Sequence, residues 1–169
     1  MDWRGFELHP ETPKGGTESK RPPTSDMNIG GYIAQFAAKF GVVGMKRSRR
    51  HPNTRRALAV AEYARDQGKL NEFRTLAMDA HWTGDKNIED SAVLHELAIA
   101  AGLDPEKALL AADDVAYQKR IDDLRAEYKK VGVGGIPTFV FGTEKVEGCQ
   151  PYEVLVAAAL RAGAQRKAS

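Results

Sequence analysis

The 169-residue sequence offers one sulfur, Cys149, so this chain by itself can build no disulfide, CxxC pair or cysteine-rich zinc site. A thiol reacts as its thiolate, and the helix that Gln150-Pro151 opens directly after Cys149 would favour that form through its N-terminal N–H groups. A lone cysteine more commonly serves as a small buried apolar residue, and that is the expectation adopted for Cys149. His9, His51, His81 and His95 stand at no HExxH or other ligand spacing, so neither a metal site nor a cofactor is expected. Glu7 and His9 would share one face of a strand and could serve acid–base chemistry, but no nucleophile stands beside them in the sequence. Lys46-Arg47-Ser48-Arg49-Arg50-His51, followed by Arg55 and Arg56, could contact phosphates; the simpler reading is a solvated loop leading into a helix.

Charge and composition narrow the classes further. Lys and Arg number 25 against 23 Asp and Glu, a net charge of +2, which gives no general basic surface and no expectation of nucleic-acid binding. With 42% hydrophobic residues and this length, one domain can bury a core without metal or disulfide. No apolar run approaches the roughly 20 residues that span a bilayer. Met1-Asp2-Trp3-Arg4-Gly5 lacks the basic and apolar regions of a secretory leader, so a cytoplasmic setting is expected.

The elements that would position these residues follow from periodicity. Trp3 to Leu8 alternates large and polar residues before Pro10 and Pro13 and reads as a short strand. Thr12 to Asp26 reads as a surface loop and Asn28 to Phe40 as a helix. From Asn53 to Val131 the pattern predicts five helices and no strand. The first stops at Gly68, the third runs from an Asp90 cap to Gly102, and the fourth starts at Asp104-Pro105. In the fifth, Tyr117, Ile121, Leu124, Tyr128 and Val131 form an amphipathic stripe. After Gly132-Val133-Gly134-Gly135, the runs Thr138-Phe139-Val140-Phe141 and Lys145-Val146-Glu147 predict a β-hairpin, and Val154, Leu155, Ala158 and Leu160 a last helix ending near Gly163.

Two stretches carry a family resemblance. Glycine-rich backbone followed by Ile136-Pro137-Thr138-Phe139-Val140, a hairpin and Gly148 resembles the cis-proline segment of thioredoxin-fold proteins, and within them the DsbA superfamily. Trp3-Arg4-Gly5-Phe6-Glu7-Leu8-His9-Pro10 with Pro13 and Gly15-Gly16 resembles the strand and loop after the active-site helix in its FrnE-like branch. Around His81-Trp82, Asn87-Ile88-Glu89-Asp90 and Ala101-Gly102-Leu103-Asp104 the helical block is similar as well.

The resemblance implies an α/β, thioredoxin-like fold of DsbA type with an all-helical insertion, here N-terminally truncated. Residues 1–52 and 132–169 would form the thioredoxin-like half and 53–131 the insertion. It implies thiol-disulfide oxidoreductase or isomerase activity resting on a CxxC upstream of the segment where this sequence starts, so no residue here inherits the catalytic role. It further implies a cis Ile136–Pro137 bond presenting Ile136 to an extended peptide or thiol substrate, with His81, Trp82 and Cys149 as further candidates at the substrate groove. Three arrangements would account for the short N-terminus: a piece of a longer protein, a homodimer completing the sheet, or direct pairing of residues 2–8 with 138–141. The homodimer is the expected one. As given, the chain is expected to be redox-inactive. The alternatives are a non-catalytic peptide-binding or dimerising module and a glutathione-dependent isomerase or transferase relative.

Overall fold

The computed structural model describes residues 1–18, 34–45, 50–83 and 86–166, in two units, 1–123 and 124–169. In the first unit β1 (Thr17–Glu18) pairs antiparallel with β2 (Arg50–His51), and residues 34–38 form a helical segment, α1. The expected loop thus contains a two-residue strand. Residues 19–26 of that loop, residues 28–33 of the expected helix and residues 46–49 of the basic tract lie outside the described residues.

Five helices follow: α2 (Arg55–Asp66), α3 (Leu70–Trp82), α4 (Ser91–Ala100), α5 (Pro105–Asp113) and α6 (Val115–Lys130), the last of which runs on into the second unit. Their ends follow from local chemistry. Gly68 and Gly102 take φ of 67° and 73°, a region open to glycine at little cost, and so let Lys69 N and Leu103 N return to the carbonyls of Ala64 and Ala98. Asp104 accepts from the N–H of Glu106 and of Lys107, both at 3.1 Å, with Pro105 in the first turn. Asp90 occupies the cap position of α4, but its carboxylate takes a hydrogen bond from Asn87 Nδ2 and does not cap the helix.

The core of this unit joins Val60 and Ala64 of α2, Phe73 of α3, Leu94 and Ala98 of α4, and Ala108, Ala111 and Ala112 of α5. Alanines on α2 and α5 leave little side chain between the two helices, which pack directly on each other. Polar ties close the rim. Arg56 of α2 grips Asp113 of α5 at 2.9 Å and the carbonyl of Glu89 at 2.7 Å. Asp66 of α2 receives Arg120 at 2.9 Å and the hydroxyl of Tyr117 at 3.0 Å, both from α6.

Residues 1–8 form no strand ladder, which corrects the expectation for Trp3–Leu8. A ladder needs a neighbouring strand, and here the neighbour is a helix. The segment runs antiparallel along α2: Arg65 binds Asp2 at 2.6 Å and the carbonyl of Trp3, and Arg55 binds Glu7 at 3.0 Å. Ten helical residues span about 15 Å. Five extended residues span about 16 Å, so the match holds the segment extended. The alternation read from the sequence survives. Trp3, Gly5 and Glu7 face the helices, with Trp3 under Arg74, Gly5 against Leu58 and Glu7 on Arg55.

In the second unit β3 (Thr138–Phe141) and β4 (Glu144–Glu147) form an antiparallel hairpin on which α7 (Tyr152–Arg161) packs. Val131, at the end of the predicted stripe, is exposed and lies beyond α6.

Acid sensitivity follows from the tie between α2 and α6. The hydrogen bond from Arg120 holds the Asp66 carboxyl below the usual carboxylate range, against the opposing effect of burial. With the folded value depressed below an unfolded value of about 3.9, the stabilisation is complete above that pH and is lost as pH falls through the folded value. Replacing Asp66 by Asn should lower the unfolding midpoint in urea at neutral pH, and the gap to the parent protein should shrink steadily below about pH 4. A pH-independent gap would show that the carboxylate charge is not what Arg120 holds.

Candidate functional site

The hairpin decides which backbone groups of β3 are free. The two-residue loop Gly142-Thr143, with Gly142 at φ 60°, closes on the facing pair Phe141 and Glu144. Antiparallel pairs alternate between those that exchange hydrogen bonds and those that do not. Counting back from the loop, 141/144 and 139/146 exchange bonds, and Gly148 N donates to Pro137 O at 2.8 Å in the next bonded pair. Thr138 and Val140 therefore turn their N–H and C=O away from β4. Among the described residues neither they nor Ile136 have a backbone hydrogen-bond partner on that side.

The flanking residues fix this edge. The Ile136–Pro137 bond is cis, and the side chains of Ile136 and Val140 are about half exposed. Thr138 Oγ1 donates to Gly135 O at 2.6 Å, holding the approach to the strand. Lys145 of β4 donates to the carbonyl of Gly132 and pairs with Glu147 at 2.8 Å. Arg161 of α7 reaches Glu144 at 3.0 Å, and this bond holds the Glu144 carboxyl below its usual range. The result is a neutral row at Thr138 and Val140, preceded by the exposed Ile136 and flanked by satisfied charges. Such a row can accept an extended chain by strand addition.

The other candidates separate. Cys149 is exposed, which corrects the expectation of a buried residue. The helix after it begins only at Tyr152, and the turn at Gly148, φ 78°, carries Cys149 out of the hairpin to the surface. His81 and Trp82 stack edge to face, with ring centroids 4.8 Å apart, at the end of α3, and Trp82 is exposed. Glu7 and His9 do not meet. Glu7 is buried on Arg55, whereas His9 is exposed and pairs with Glu11 at 2.9 Å. Of the basic tract, Arg50 binds the carbonyl of Gly15, and Arg55 and Arg56 are engaged by Asp122 and Asp113. Among the described residues no group of histidine, cysteine and acidic side chains could hold a metal ion. None of their helices is long and apolar enough to cross a membrane.

The sequence points to Ile136 and Pro137 but not to Thr138 and Val140. The signal was available in the two-residue Gly142-Thr143 loop, whose parity fixes which backbone groups point outward.

A helical block coupled with this hairpin and proline segment defines a thioredoxin-type fold of the DsbA kind. The profile of the DSBA-like thioredoxin domain matches residues 1–159, and the chain belongs to that family. The crystal structure of the probable DsbA oxidoreductase SCO1869 from Streptomyces coelicolor is similar, with a TM-score of 0.78 and 25% identity over 98% of this chain and 76% of that one. A structure described as a candidate protein disulfide isomerase from Nitrosomonas europaea shares the fold, with a TM-score of 0.69 and 16% identity over 86% of this chain and 77% of the other. The uncharacterized protein YwbO of Bacillus subtilis (strain 168) is 27% identical over 156 residues, covering 91% of this chain and 78% of YwbO.

Exposure makes a direct test of the thiol. Iodoacetamide should alkylate Cys149 in the folded protein at neutral pH, seen as one carbamidomethyl group by mass spectrometry. Resistance until denaturant is added would place the thiol inside the fold and out of reach of any substrate.

Proposed function

We propose that the chain is a FrnE-like member of the thiol-disulfide oxidoreductases and isomerases, and that its own residues supply the substrate-binding edge and not the redox pair. An extended peptide or thiol substrate would add as a strand along Ile136, Thr138 and Val140, with Pro137 shaping the entry to the row. The observation that supports this reading is the set of backbone N–H and C=O groups on that edge with no partner among the described residues. Redox turnover of a dithiol needs two sulfurs in one site, and the sequence supplies one.

A second reading is favoured by the same edge. Two copies could pair through β3 and complete the sheet, in which case peptide and partner compete for one row. Light scattering of the pure protein distinguishes a peptide-binding monomer from a dimer.

The test separates binding from chemistry. With dithiothreitol as reductant the protein should precipitate insulin no faster than buffer. A fluorescently labelled unfolded peptide should nonetheless bind, as read by anisotropy. Val140→Pro removes an outward N–H and leaves the bonds to β4 intact, so it should weaken peptide binding about tenfold, near the value of one hydrogen bond. Unchanged binding by Val140→Pro would remove strand addition as the mode, and insulin reduction above background would remove the claim of redox inactivity.

A further inference from the structure

The guanidinium of Arg74, on α3, meets no carboxylate among the described residues. Its Nε is buried without a hydrogen-bond partner, and its terminal amino groups have no acceptor among the described residues. Its Cζ lies 4.2 Å from the centroid of the Trp3 indole, which holds one face of the group by cation–π attraction but satisfies none of its donors. Only Nε is sealed from solvent; the terminal amino groups stay open to an incoming acceptor.

Neighbouring charges leave this one over. Asp2 pairs with Arg4 at 2.7 Å and Arg65 at 2.6 Å, and Arg65 leans on Glu62 at 3.4 Å. Arg120, also near Glu62, is met by Asp66. On α3 itself Glu72 turns to Lys69 at 3.5 Å. Two carboxylates, Asp2 and Glu62, thus offset Arg4 and Arg65, and a single positive charge remains at Arg74. That favours a singly charged carboxylate over a dianionic phosphate, and the fork of the guanidinium suits a carboxylate's two oxygens.

The helix adds an apolar track. Met78 and Trp82 follow Arg74 at four-residue steps on one row of α3, 52% and 42% exposed, and Trp3 at the head of the row is 37% exposed. From residue 74 to 82 the row is about 12 Å long, which is three to four residues of extended peptide.

We propose that this row is a docking site for an acidic peptide segment. An Asp or Glu carboxylate takes the Arg74 fork, and an apolar side chain three or four residues away lies on Met78 and Trp82. Charge complementarity selects the acidic end and the exposed thioether and indole select the apolar one. The site uses residues of the first unit alone and is independent of the strand-addition edge.

The sealed Nε–H gives a direct probe. The full chain labelled with 15N-arginine is titrated with a capped tetrapeptide carrying glutamate at one end and leucine at the other. The Arg74 Nε–H resonance should shift saturably, with a Kd in the millimolar range. The glutamine analogue should bind at least about fivefold more weakly, because a charge-assisted hydrogen bond is stronger than a neutral one. By tryptophan fluorescence, Arg74→Gln should lose the response, and Arg74→Lys, which keeps the charge without the fork, should bind about tenfold more weakly. A resonance that does not move, equal binding of the glutamine peptide, or an equal shift from inorganic phosphate alone would overturn the proposal.

Discussion

The need of every backbone N–H and C=O for a partner is the constraint on which this structure turns. Helices satisfy it internally, which is why α2 to α5 can form a core that depends on no sheet. A hairpin satisfies it on one side only. Because the loop at Gly142-Thr143 has two residues, the unsatisfied side of β3 falls on Thr138 and Val140. Shifting the register by one residue would hand that role to Phe139 and Phe141, whose side chains are half-buried. The candidate site is thus a consequence of turn parity, and its side chains contribute little beyond neutrality and access.

The same constraint acts on residues 1–8, with another solution. With no strand beside it, the segment is held by side chains: Asp2 and Glu7 take the two ends of α2 through Arg65 and Arg55. Arg55 also reaches Asp122 and Gln118, so one guanidinium gathers the N-terminal segment, α2 and α6. Glu7 is nearly fully buried, and a buried carboxylate is tolerated only where such a partner meets it. Trp3 is placed by the same alternation, and its ring takes one face of the Arg74 guanidinium on α3.

Much of this was legible in the sequence because it depends on local chemistry. Gly68, Gly102 and Asp104-Pro105 mark helix ends whatever the tertiary setting, and the apolar stripe of α6 holds at Ile121 and Leu124, which are buried, but not at Val131. The hairpin was legible from its β-branched and aromatic runs, with its second strand beginning one residue earlier than expected, at Glu144. What failed depended on distant partners. Alternation in Trp3–Leu8 showed which side chains share a face but not whether a strand or a helix would lie against them. Cys149 looked like a core residue by type, and the turn at Gly148 put it outside. Arg74 gave no signal in the sequence, since an unpaired charge is recognised only once its neighbours are known. The family resemblance pointed to Ile136 and Pro137, and the hairpin geometry extends that pair into a row.

Strand addition would pair an extended chain with alternate residues of one edge. Amide hydrogen exchange of the 15N-labelled protein, with and without a saturating unfolded peptide, tests it residue by residue. Ile136, Thr138 and Val140 should exchange quickly alone and become protected with peptide, while Phe139 and Phe141 should be protected in both states. Protection of Ile136, Thr138 and Val140 in the free protein at dilution to monomer, or no gain on peptide binding, would contradict it.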